Sequence, residues 1–71
     1  MKDIAGKRVK VVYTIASNLV IGSQAEINEQ GIVHTIYPEH THPICVVFGD
    51  GYVECFKEEE LRYINNRRIV L

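Results

Sequence analysis

Two histidines and a cysteine stand close together in His40-x-His42-x-x-Cys45, and a second cysteine, Cys55, follows ten residues later. On spacing alone this could be a zinc cluster, since zinc takes about four nitrogen or sulfur ligands with local pairs two to four residues apart. Pro43 stiffens the loop, however, and Cys45 falls in an apolar stretch that reads as a strand. Residues 38–43 therefore read as a solvated loop, and no metal or other cofactor is expected. Nucleophilic chemistry at a cysteine needs a thiolate, a nearby base and a pocket. Both cysteines lie among β-prone apolar residues, which raise a thiol's pKa, and 71 residues leave little room for a cleft. No phosphate-cradling glycine loop, nucleophile elbow or pair of carboxylates appears. No catalytic residue is assigned, and the chain does not read as an enzyme.

The charged residues suggest binding instead. Residues 1–15 carry four cations against one acid, and residues 61–71 carry three cations and no acid. The stretch between them holds eight acids against one lysine, for a net charge of -1 overall. If the first and last strands are neighbours, Lys7, Arg8, Lys10, Arg62, Arg67 and Arg68 merge into one basic patch, the footprint of phosphate-backbone binding. The alternative is that these cations balance acids such as Glu58, Glu59 and Glu60. The run Leu19-Val20-Ile21 is the other candidate: exposed, it is a protein-binding patch; folded over, it is a lid on a thin core. Tyr13, Tyr37, Phe48, Tyr52, Phe56 and Tyr63 could form a cation-binding cage only by converging at one rim. Scattered core and rim aromatics are the expectation.

These side chains must be positioned by short strands. Val46-Val47-Phe48 and Tyr52-Val53-Glu54-Cys55-Phe56 flank Gly49-Asp50-Gly51, a strong hairpin signal. A two-residue turn at Asp50-Gly51 sets Phe48 opposite Val53 and Val46 opposite Cys55. It gathers Val46, Phe48, Val53 and Cys55 on one face, and is the expected register, with two reduced, buried thiols. A three-residue turn would instead set Cys45 opposite Cys55 and allow a disulfide; one residue of slip swaps the faces. Lys7–Ile15 reads as the first strand, with Val9, Val11 and Tyr13 on one face, and Ile4 tucks beneath it. Ala16–Gln30 is a long first loop. Gly31–Tyr37, Ile44–Phe48 and Tyr52–Phe56 follow as strands, then a 3₁₀ turn over Lys57–Glu60 and a fifth strand over Leu61–Ile64. Asn65-Asn66-Arg67-Arg68 breaks the pattern, and Ile69-Val70-Leu71 could fold back or pair with a partner.

Gly6-Lys7-Arg8-Val9-Lys10-Val11, Gly31-Ile32-Val33, Val46-Val47-Phe48-Gly49-Asp50-Gly51 and Glu59-Glu60-Leu61 together resemble the small Tudor and KOW-type barrels. The likeness spans nearly the whole chain through short motifs. It implies an all-β, five-stranded SH3-like barrel with a long first loop and a 3₁₀ turn before the last strand. For KOW barrels it also implies RNA or ribosome binding. The apolar and acidic stretch Leu19–Glu29 departs from a KOW motif. The expected organisation is one barrel domain over residues 1–66 and a short tail over 67–71.

Composition, at 46% hydrophobic and 24% charged, argues against disorder. No apolar run reaches the roughly 18 residues of a membrane span, and the stretch after Met1-Lys2-Asp3 lacks the apolar core of a signal peptide, so secretion is not expected. A small cytoplasmic accessory protein of bacterial or phage type is the expectation. Its first-choice role is a protein–protein interaction module, and its alternative role is a nucleic-acid-binding barrel using the basic patch. A homodimer could form through a strand edge or the tail.

Overall fold

A computed structural model describes residues 4–12 and 27–71. It is all-β: strands β1 (Arg8–Val11), β2 (Gln30–Ile36), β3 (Ile44–Phe48), β4 (Val53–Phe56) and β5 (Leu61–Tyr63), with a 3₁₀ turn at Glu58–Glu60. They form one antiparallel sheet in the order β4-β3-β2-β1-β5. Among the described residues the sheet is not closed into a barrel; β4 and β5 are its edges.

Alternation along each strand decides which face is buried. In β1, Val9 and Val11 point into the core while Arg8 and Lys10 point out. Val9 pairs with Tyr63 and Val11 with Leu61, so β5 adds Leu61 and Tyr63 to the same face. Ile44, Val46 and Phe48 of β3 complete the core with Val33, Phe56, Ile4 and Ile69. Full burial of a side chain of this kind contributes about 1.5–3 kcal/mol. β2 shifts register between Val33 and Thr35. The extra residue at this bulge is the exposed His34, whose Nδ1 lies 2.6 Å from Thr35 Oγ1. The shift lets Val33 and Ile36 both pack on the core, where unbroken alternation would have put them on opposite faces.

The β3–β4 hairpin overturns the expected register. Cys45 lies opposite Cys55, Val46 opposite Glu54 and Val47 opposite Val53. Phe48 N–H donates to Tyr52 O at 2.8 Å, and Gly51 N–H donates to Phe48 O at 2.9 Å, so the turn is Gly49-Asp50-Gly51. A two-residue primed turn would need positive φ at Asp50 as well as Gly51. In the three-residue turn only Gly51 has it, at 87°, where a glycine bears no Cβ penalty. Asp50 Oδ1 accepts the Tyr52 N–H at 2.9 Å. In this register Tyr52 and Phe56 face the core, while Val53 and Cys55 face outward. Val53 is 51% exposed, against its expected place in the core. The cysteines are not reduced thiols: Cys45 and Cys55 form a disulfide with their Cα atoms 4.1 Å apart.

The C-terminal residues make a second hairpin. Tyr63 N–H donates to Arg67 O at 3.0 Å, and Asn66 N–H donates to Tyr63 O at 2.9 Å. Arg67 N–H donates to Asn65 Oδ1 at 3.1 Å, and Asn66 has φ 71°. Beyond the turn, Arg68 bridges back to Arg62, Ile69 is buried, and Leu71 N–H donates to Glu58 Oε2 at 3.2 Å. Residues 67–71 thus fold back on their own sheet. Asn65-Asn66, which ends the strand pattern in the sequence, is the turn itself.

Candidate nucleic-acid interface

All six cations singled out in the sequence lie in described segments. β1 sends Arg8 and Lys10 to the outer face because Val9 and Val11 take the core. β5 does the same with Arg62, because Leu61 and Tyr63 pack inward. Pairing then aligns them: Lys10 is opposite Arg62, and Arg62 is opposite Arg68. Three cations stand in one row across neighbouring strands, each step about 4.8 Å in the hydrogen-bonding direction. Lys7, Arg8, Arg67 and Arg68 line a concavity with Tyr63, Ile64 and Asn65 beside the second hairpin turn. Arg62 Nη1 donates to Asn66 O at 3.4 Å, which ties the middle of the row to that turn.

Like charges placed directly opposite each other on a sheet are destabilising, by about 0.2–1 kcal/mol a pair. Several acids accept local hydrogen bonds, and a carboxylate that does so keeps its charge. Glu60 is fully buried, and its Oε1 accepts the Lys57 N–H at 2.8 Å. Glu58 accepts from Leu71 N–H, and Glu54 Oε1 accepts from Tyr52 O–H at 2.7 Å. Glu58 and Glu59 border a second concavity together with Arg62 and Arg68, so one margin of the basic row is acidic. The row is thus a cationic strip with an acidic border.

Among the described residues, the other candidates do not gather into a site. Leu19, Val20 and Ile21 lie outside the described residues, as does Tyr13. Tyr37 stacks on His40 with ring centroids 5.3 Å apart, in the loop between β2 and β3. Phe48 stacks on Tyr52 and meets Phe56 edge-on. Phe48 and Phe56 are buried, so these rings serve the core. His40 and His42 line a concavity with Glu39, Thr41 and Cys55. No group of three or more His, Cys, Asp or Glu side chains suited to a metal ion occurs among the described residues. No helix among them is long and apolar enough to cross a membrane.

The sequence places Arg68 in the basic patch but does not show its pairing with Arg62, because Asn65-Asn66-Arg67-Arg68 breaks the strand pattern. The available signal was Asn65-Asn66: asparagine tolerates positive φ and accepts backbone N–H groups two residues on. No protein-family model, curated protein or solved structure matches the chain.

Proposed function

We propose that this chain is a non-enzymatic binding module of SH3-like barrel type, and that its β1–β5 face engages the phosphate backbone of a nucleic acid. Support for the barrel reading comes from the strand order β4-β3-β2-β1-β5, the bulge in β2 and the 3₁₀ turn before β5. The observation that carries the binding reading is the cross-strand row Lys10, Arg62 and Arg68. Such a row is unfavourable by itself and becomes favourable against a line of phosphates, whose condensed counterions are released on contact. Arg8, Arg67 and Lys7 extend it around the second hairpin. Contacts of this kind fix position and carry no sequence information, so binding is sequence-independent and steeply salt-dependent.

The test is an amide NMR spectrum of labelled protein with and without a short mixed-sequence duplex at low salt. Residues 7–10 and 62–68 shift together, and the shifts fade as salt rises. A spectrum that does not move at low salt rules the reading out for duplexes.

A second reading, a protein-interaction module, is favoured by β4, an edge strand among the described residues, where Val53 is 51% exposed and stands opposite Val47, itself opposite Ile32. A partner strand could add there, or a second copy could pair through the same edge. That binding would be insensitive to salt. If Leu19, Val20 and Ile21 take part, it would be lost on Leu19→Asp or Ile21→Asp.

A further inference from the structure

We propose that Cys45–Cys55 is a reversible thiol–disulfide couple, opened by a small thiol of the glutathione class that attacks Cys55. The bond joins strands that the β3–β4 ladder and the Gly49-Asp50-Gly51 turn already hold together. Its sulfurs lie on the outer face of the sheet, while the neighbouring pair Ile44 and Phe56 fills the core on the other face. Breaking it therefore opens no hole in the core.

The two halves of the cystine are unequal. Cys45, on the interior strand β3, is 6% exposed. Cys55, on the edge strand β4, is half-buried and borders the concavity formed with Glu39, His40, Thr41 and His42. An incoming thiol reaches its target from that concavity, and access decides which sulfur of a disulfide is attacked. The imidazoles of His40 and His42 line the same opening.

The chemistry balances. A glutathione thiolate bonds to Cys55 Sγ, the Cys45–Cys55 bond breaks, and its electron pair leaves on Cys45 Sγ, which takes a proton. A second glutathione thiolate attacks the glutathione sulfur of the mixed disulfide and expels the Cys55 thiolate. The cystine gains two electrons, and two glutathiones become one oxidised glutathione. The reverse sequence closes the bond. The chain has two cysteines and both are in this bond, so no third thiol diverts the exchange.

The experiment equilibrates the full chain in buffers running from oxidised to reduced glutathione, traps free thiols by alkylation and reads each species by mass. Both the closed cystine and the open dithiol form across the series, and peptide mapping places the trapped glutathionyl adduct on Cys55. The amide spectrum of the reduced protein keeps its β-sheet dispersion. In Cys45→Ser the remaining thiol reacts with an aromatic disulfide reagent faster, on the order of tenfold, than the remaining thiol of Cys55→Ser. A cystine that persists at every glutathione ratio, a dithiol that never closes, an adduct on Cys45, or loss of the fold on reduction would each overturn the proposal.

Discussion

The hairpin from β3 into β4 and the hairpin from β5 into residues 67–71 turn on the same hydrogen bonds, at opposite edges of one sheet. In each, the residue before the turn donates its N–H to the residue after it and accepts the N–H of the third turn residue. An Asx side chain, Asp50 or Asn65, takes the N–H two residues on. A residue with positive φ, Gly51 or Asn66, closes the turn. The flanks differ completely. The first hairpin is tied by Cys45–Cys55 and carries valine opposite valine on its outer face. The second sets arginine opposite arginine. The same turn thus joins two different pairs of strands: one bridged by a cystine, the other setting like charges side by side at an electrostatic cost. The proposed contact with a phosphate backbone would offset that cost.

Core anchors give the largest effects. Phe56→Ala in the first hairpin, at a fully buried ring, should lower unfolding free energy by about 3–5 kcal/mol in urea titration. Ile69→Ala in the second should cost about 2–5 kcal/mol, since Ile69 is 4% exposed. A loss below about 0.5 kcal/mol at Ile69, the usual size at a surface site, would mean that residues 67–71 are not integral to the fold. Between the hairpins, Gly31 lets β2 lie close against β3: a Cβ there would sit 2.5 Å from Val46 Cγ1 and 2.7 Å from Val47 O. Gly31→Ala should cost about 1–3 kcal/mol in the same titration.

The turns sharpen the comparison further. Gly51→Ala forces a Cβ into the left-handed region and should cost about 1–2 kcal/mol. Asn66→Gly should leave stability unchanged or raise it by less than about 1 kcal/mol, because glycine suits φ 71° better than asparagine does. The smallest change is Arg68→Gln, which removes one like-charge pair. It should raise unfolding free energy at low salt by about 0.2–1 kcal/mol while weakening duplex binding. The gain should shrink toward physiological salt as screening takes over.

Much of this architecture is legible in the residues. Alternation in Arg8-Val9-Lys10-Val11 gives the face of β1, Gly49-Asp50-Gly51 gives a hairpin, and Glu58-Glu59-Glu60 gives the 3₁₀ turn. The register of the first hairpin is not legible, because Asp-Gly serves both a two-residue and a three-residue turn. What decides it is that Asp50 escapes positive φ, and that Tyr52 and Phe56 bury more apolar area than Val53 and Cys55 would. The first is local to the turn and the second is tertiary. The second hairpin is hidden for a related reason: its strand after the turn is a single bridge at Arg68, too short for any periodicity. The six cations were readable as one patch only on the condition that the first and last strands are neighbours. The pairing of β1 with β5 meets that condition.

The most direct test of the central claim is fluorescence anisotropy of a labelled short duplex, titrated with the wild-type chain and with Lys10→Gln/Arg62→Gln/Arg68→Gln across a salt series. The wild type should bind at low salt, with log K falling linearly in log salt, and the variant's slope should be shallower by about 0.9 for each phosphate contact removed. Equal affinity and equal slope for the two proteins, or no wild-type binding at low salt, would contradict it.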